Sequence, residues 1–310
     1  MKETINGTKK KGLPVVFDLT GNQCVWAAAE VIQPRPCMSA FDCMSCSFDK
    51  KLKREFSQGN IRDNQGRPIP GWCDPKRYAF TSYEEHKCRH MLSGRVPVGF
   101  CTNNYECSHC EFDQMLDDRG LLGPGLEPEL DLVAGFAKPK RYYFHRGHTW
   151  ARLEYGGRLR VGLDDFALRL LGPLDEIRLP ELGQAVCQDQ PEFELRRGRK
   201  EARVISPLKG VVVAVNPEIR KNPAKIQEAP YSLGWLFIVT PTRLTPNLRN
   251  LMFGEESSIW LDREAGRLSA LVAEETGYRL AATGGRVVDN IYGRLPKLGW
   301  EHLVHDFLLT

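Results

Sequence analysis

The chain is 310 residues long, room for about two domains, and its 42% apolar and 26% charged residues are those of a folded soluble protein. A formal charge of +4 is small for that length and gives no clustered basic face for nucleic acid. No run approaches the roughly 20 apolar residues of a membrane span, and the start MKETINGTKKKG has no apolar core of a secretory signal, so a cytoplasmic protein is expected.

After a polar tail over 1–20, the first organised region spans 21–118 and is an internal repeat. CVWAAAEVIQPRPCMSAFDCMSCSFDKKL (24–52) aligns without a gap on CRHMLSGRVPVGFCTNNYECSHCEFDQML (88–116), and both read C-x12-C-x5-C-x2-C-x-F-D-x2-L. Eight of the ten cysteines fall in the pattern: Cys24, Cys37, Cys43 and Cys46, then Cys88, Cys101, Cys107 and Cys110. Four thiolates per unit is the ligand count of tetrahedral zinc and of a [4Fe–4S] cluster, and a cytoplasm that keeps thiols reduced favours metal over disulfides. Each unit is too small to bury a core, so a bound metal would supply the missing folding energy. The plain alternative is two disulfides per repeat, or buried thiols acting as small apolar groups.

The C-x2-C pair is expected in a turn that opens a helix at Phe48-Asp49 and at Phe112-Asp113, whose N-terminus favours thiolate charge. His86, Lys87, Arg89, His90 and His109 crowd the second unit, but four cysteines already complete each set, so they are read as outer neighbours or surface groups. Cys73 and Cys187 have no repeat counterpart and are read as buried free thiols.

Residues 119–140, punctuated by Gly and Pro, are read as a linker. From 141 to 255 the texture turns to short β-type runs: TWARLEY, RLRVGLD, EIRLP, ARVISP and GVVVAVN, bounded by turn residues, which describe a small barrel or sandwich. A helix is expected at LDDFALRLLG, capped by Asp164 or Asp165 and ended by Gly172.

HTW at 148–150, VGLDDFALRLLGPLDEIRLPELG at 161–183, SPLKGVVVAVN at 206–216 and NPAKIQEAPYSLGWLFIV at 222–239 resemble the H protein of the glycine cleavage system. The resemblance implies a barrel-sandwich hybrid that carries lipoate on a lysine at a β-hairpin tip. Counting from Gly183 and from Ser206-Pro207 puts that position at Arg199, within ELRRGRKEARVISPLKG. A guanidinium stays protonated and is a poor acyl acceptor, so lipoate is not expected there. Lys200 is the one substitute, but a one-residue slip along a strand reverses the face presented. Otherwise Arg196, Arg197, Arg199 and Lys200 form a basic tip that would dock an acidic partner protein, with an attraction that weakens in salt.

Beyond, 256–310 reads as a helical extension. Leu261, Ala265, Leu268 and Val272 recur at helical spacing, RLAATGGRVVDN reads as a hairpin turn, and Trp300, Leu303, Val304 and Phe307 share one side of a final helix, with His302 and His305 on the surface. No G-x-S-x-G, Walker loop or H-E-x-x-H is present, and Asp117-Asp118 and Asp164-Asp165 read as a turn and a cap, so no catalytic residue is assigned. The expected fold is α+β: a cysteine-rich metal-binding duplication, an H-protein-like and mainly β domain, then helices. The expected role is a non-lipoylated adaptor or electron-transfer accessory subunit. The alternatives are a lipoyl or acyl carrier using Lys200 and a redox enzyme component with two [4Fe–4S] clusters.

Overall fold

The computed structural model describes residues 23–29, 31–57, 87–101, 107, 110–122, 128–277, 282–283 and 286–310. The polar tail, His86, His109 and Cys73 lie outside the described residues.

In the N-terminal region the two sequence units fold into matching elements. Short helices α1 (Val25–Ala28) and α3 (Arg89–Leu92) follow the first cysteine of each unit, and α2 (Ser47–Ser57) and α4 (Glu111–Leu122) follow the last. Isolated β-bridges close both units at the same repeat positions, Gln23 with Pro36 and Lys87 with Phe100. The backbone N–H groups of Cys24 and Cys88 donate to Arg35 O at 2.9 Å and to Gly99 O at 2.8 Å, again at equivalent places.

The described parts of the stretch read as a linker are structured. A short β-hairpin, β1 (Leu130–Val133) and β2 (Phe136–Pro139), turns at Ala134-Gly135, both with positive φ. Its first strand is mostly exposed, and LDLV offers only weak alternation to a reader of the sequence.

The β domain follows as β3 (Tyr143–Phe144), β4 (Thr149–Leu153), β5 (Leu159–Leu163), β6 (Glu176–Arg178), β7 (Ala185–Val186), β8 (Pro191–Arg197), β9 (Lys200–Ile205), β10 (Gly210–Val215), β11 (Phe237–Pro241) and β12 (Met252–Phe253). They form a seven-stranded sheet in the order β12-β3-β4-β5-β11-β10-β7 and a three-stranded sheet in the order β6-β8-β9. One core joins the two, with Val161, Leu163, Val212 and Val239 contributed by the large sheet and Leu195, Ala202 and Val204 by the small one. Each fully buried Val or Leu among them is worth about 1.5–3 kcal/mol.

Gly162 shows why the sheet tolerates no substitute at one point. It pairs with Trp150 across β4 and β5, and a Cβ there would lie 2.4 Å from Trp150 Cζ2. The absent side chain lets the indole lie across the strand and donate from Nε1 to Leu163 O at 2.9 Å.

Helix α5 (Asp165–Leu171) starts and stops as the sequence predicts. Asp164 Oδ1 accepts the Ala167 N–H at 2.8 Å, and Gly172 ends it at φ 76°. Asp164 Oδ2 also holds His148 Nδ1 at 2.8 Å, so the histidine of HTW anchors the cap; its ring stacks on Phe166 and Nε2 lies 4.0 Å from Glu264 Oε2.

Short helices α6 (Pro217–Lys221), α7 (Lys225–Glu228) and α8 (Leu244–Arg249) punctuate the sheet connections, and α9 (Glu255–Thr276) opens the C-terminal part. Leu261, Ala265, Leu268 and Val272 are its buried face and pack with Phe136, Phe166 and Leu170. Gly277, at φ 73°, ends the helix. The segment then forms the expected hairpin, β13 (Ala282–Thr283) with β14 (Arg286–Val287), followed by α10 (Ile291–Arg294) and α11 (Trp300–Leu303), which continues into a wider turn over Val304–Leu308. Trp300, Leu303, Val304 and Phe307 are buried, while His302 and His305 are exposed. Among the described residues no helix is long and apolar enough to cross a membrane.

Candidate functional site

Strands β8 and β9 pair as far as Arg197 with Lys200, leaving Gly198 and Arg199 as the two-residue turn. Gly198 sits at φ 58° in open space, the backbone that a twisted two-residue hairpin asks of its first central residue. Its N–H donates to Asp175 Oδ2 at 2.5 Å, which ties the turn to the small sheet. Arg199 is thus the tip residue and is exposed, whereas Lys200 is already the first residue of β9.

The basic patch expected here is largely neutralised. Arg196 donates to Glu201 Oε1 at 2.6 Å and Glu176 Oε2 at 3.0 Å. Arg197 points inward, donating to Leu171 O and to Asn290 Oδ1 with its guanidinium over the Tyr292 ring. Lys200 Nζ meets Glu301 Oε1 at 2.7 Å, and that carboxylate raises the ammonium's pKa. Glu201 lies in the same hairpin, but Glu176 and Glu301 come from other parts of the chain, beyond the reach of a local reading. Of the four, Arg199 alone has no ion-pair or hydrogen-bond partner among the described residues.

The C-terminal segment clasps the same hairpin. Trp300 Nε1 donates to Glu201 O at 2.8 Å, and Thr310 Oγ1 donates to Arg203 O at 2.7 Å. Lipoate is attached through an amide to a lysine amine; the tip offers a guanidinium, a poor acyl acceptor, and the nearest amine lies on strand β9 paired with Glu301, so the tip residue does not fit the group.

In the N-terminal region all eight repeat cysteines are half-buried free thiols. Cys24, Cys37 and Cys43 flank a small core of Val25, Trp26, Val31, Phe41 and Leu52, and Cys37 Sγ accepts the Phe41 N–H at 3.2 Å. Burial pushes the Cys43 thiol up to about 12, helped by the negative groups of Asp49, Cys37 and Cys24. Burial likewise raises Cys107 to about 11, with Asp113 and Cys101 adding to it, and raises Cys24 and Cys88. The thiols that sense one another belong to one repeat in each case: Cys24 with Cys37 and Cys43, Cys88 with Cys101 and Cys110. Among the described residues, no group of three or more His, Cys, Asp or Glu side chains is arranged to hold a metal ion. Cys187, expected to be buried, is exposed just beyond the two-residue strand β7.

Sequence reasoning missed what the Phe-Asp after each C-x2-C does. Asp49 is buried and accepts from Trp26 Nε1 at 2.8 Å; at the equivalent positions Asp113 binds His90 Nε2 at 2.6 Å. The aspartates therefore tie the last helix of each unit back to its first. His90 is buried, in keeping with an outer neighbour rather than an open ligand, and burial lowers its pKa. The recurrence of Asp at one repeat position was the signal available.

Also missed was how the module seats on the β domain. The turn between β4 and β5 enters the module: the Tyr155 ring stacks on Phe41 of the first unit with centroids 5.7 Å apart and lies 5.4 Å from His90 of the second. The Arg95 guanidinium caps the same ring at 4.3 Å. Gly156 N–H donates to Ala40 O at 3.0 Å, and Arg158 pairs with Asp117 at 2.9 Å.

Two sheets around one core, with a two-residue hairpin turn at the lipoyl position, define a domain of the lipoyl-carrier type. Residues 141–263 match the family model described as Glycine cleavage H-protein. The glycine cleavage system H protein of Anoxybacillus flavithermus is 32% identical over 118 residues, which span 38% of this chain and 91% of that protein. That of Hydrogenovibrio crunogenus is 36% identical over 107 residues, 34% of this chain and 83% of the relative. A crystal structure of a glycine cleavage system H protein from Mycobacterium marinum aligns over 41% of this chain and 98% of its own, with 28% identity and a TM-score of 0.36. The chain belongs to the glycine cleavage H-protein family through this domain.

Proposed function

We propose that the protein is a non-lipoylated member of this family that works as an adaptor or electron-transfer accessory subunit in the cytoplasm, with a metal held by each cysteine set. The observation that carries the reading is the hairpin. Its tip is Arg199, its nearest amine is paired with Glu301, and its flank is held by the chain's own C-terminal segment. A swinging arm needs the opposite of each. The hairpin's one unpaired cation, Arg199, is the contact left to an acidic partner.

The metal half of the reading is supported by the chemistry of the donor set. Each repeat gathers four thiols, the ligand count of tetrahedral zinc and of a [4Fe–4S] cluster. Set one is Cys24, Cys37, Cys43 and Cys46; set two is Cys88, Cys101, Cys107 and Cys110. Zinc would make the module a rigid scaffold, and a [4Fe–4S] cluster would make it a redox centre.

Metal analysis with an absorption spectrum, on protein purified from its native host without oxygen, tests this. Iron with equal acid-labile sulfide and visible absorption that bleaches with dithionite assigns electron transfer; colourless protein with zinc assigns the scaffold. Absence of bound metal would refute the module's role, and a lipoyl mass on the peptide containing Lys200 would return the protein to the carriers.

A further inference from the structure

On the solvent face of the three-stranded sheet the charges alternate in two rows. The register places Glu176 of β6 opposite Arg196 of β8, and Arg196 opposite Glu201 of β9; in the next row Arg178 stands opposite Glu194, and Glu194 opposite Arg203. Ion pairs link neighbours along both rows, from 2.6 Å for Arg196 with Glu201 to 3.8 Å for Arg203 with Glu194. One row therefore ends on a carboxylate and the other on a guanidinium, and both ends are exposed on the edge strand β9.

The backbone of that edge has the matching phase. Asp175 N–H donates to Arg196 O at 2.9 Å, so Arg196 turns its polar groups toward β6, and Glu201 opposite it turns its own away from β8. Arg203, two residues on, points the same way. A second copy rotated about an axis through Ala202 would lay β9 antiparallel on β9, with Glu201 against the second copy's Arg203 and Arg203 against its Glu201. Both are then hydrogen-bonded pairs of opposite charge, and each row runs on through the joined sheets without two like charges meeting.

The C-terminal segment now sits on this edge. Trp300 Nε1 and Thr310 Oγ1 take the same two carbonyls, Glu201 O and Arg203 O, and Glu301 holds Lys200 beside them. An open strand edge invites pairing with another chain, and a cover of this kind prevents it. The cover is pieced together from helical turns of three to five residues, each too short to hold without docking.

We propose that the outer edge of β9 is a homodimer interface and that the C-terminal segment is its removable cover. With the cover closed the chain is a monomer; with it lifted, two copies join their small sheets into one. No cysteine and no metal enters the inference, so it stands or falls apart from the function proposed above.

Sedimentation velocity on the full chain over a series of concentrations tests it. Wild-type protein should associate only weakly. Glu301→Lys/Thr310→Ala, which turns the contact with Lys200 repulsive and frees Arg203 O, should tighten the dimer about tenfold, because apparent affinity scales with the open fraction. Trp300→Ala should act in the same direction. In the Glu301→Lys/Thr310→Ala chain, Glu201→Arg or Arg203→Glu alone sets like charges face to face and should return the protein to monomer, while the two together restore the opposite pairs and the dimer. Amide exchange at Glu201 and Arg203 should slow as the dimer forms. Cover variants that stay monomeric at every concentration, or an association indifferent to the single and double charge reversals, would overturn the proposal.

Discussion

Removal of one indole tests whether the C-terminal segment is a working part of the hairpin's support. Trp300 is 1% exposed, packs edge to face on Tyr292 with centroids 5.1 Å apart, and bonds to Glu201 O. Trp300→Ala loses the buried ring and leaves a cavity in the main core, together about 3–5 kcal/mol. For a cooperative unit of 150–250 residues, about 2–4 °C per kcal/mol places the fall in Tm at roughly 6–20 °C. Trp300→Phe keeps most of the packing and drops the hydrogen bond, for about 1 kcal/mol. Scanning calorimetry reads both. Amide exchange should speed up along 191–205, where the clasp acts, before it does in β4 and β5. A Tm change under about 3 °C for the alanine variant, or exchange that is uniform across both sheets, would refute the claim that the segment braces the hairpin.

Other outcomes follow from the same structure. Asp164→Ala strips the cap from α5 and leaves buried His148 Nδ1 unpaired, which should cost about 3 kcal/mol in denaturant titration, while an exposed Asp262→Ala changes little. His145 is buried, donating from Nε2 to Asp189 at 2.8 Å and accepting the Gly147 N–H at Nδ1 at 3.0 Å, and burial lowers its pKa below the ordinary 6.5. The unfolded chain then binds the proton more readily, so this contribution is full above about pH 6.5 and declines as pH falls through the window below it. His145→Gln should flatten that part of the stability profile, and an unchanged slope would show that another group titrates there. Intact-mass measurement after co-expression with a lipoate ligase should find the wild-type chain unmodified; Arg199→Lys supplies the missing amine at the tip, and a lipoyl mass on it alone would show the tip residue to be the barrier.

Local chemistry was legible where it decides local structure. The Asp164 cap, the Gly172 stop and the buried stripe of α9 follow from spacing and residue type within a few turns, and the tip position of Arg199 from the resemblance to the H-protein family. What escaped was decided at long range. Lys200 and Arg197 look like a free basic patch until Glu301 and Asn290, some ninety or more positions away, are folded onto them. The β1–β2 hairpin was hidden because its first strand faces solvent and carries no alternation strong enough to distinguish it from a linker. Cys187 was misread because its local sequence does not distinguish an exposed thiol just past β7 from a buried one. Tyr155, in a Gly-Gly turn, gave no hint that it would plug the junction of the cysteine units.

The paired aspartates also change how relatives of the N-terminal module should be sought. Asp49 and Asp113 hold equivalent places, yet one accepts from an indole and the other from an imidazole. The acceptor stayed fixed while its donor drifted, so a search profile weighted on cysteines and overall identity would score a diverged copy poorly. A query that demands Asp three residues after the C-x2-C pair, and any N–H-bearing ring two residues after the first cysteine, encodes the bond itself and would retrieve copies in which the rest of the unit has changed.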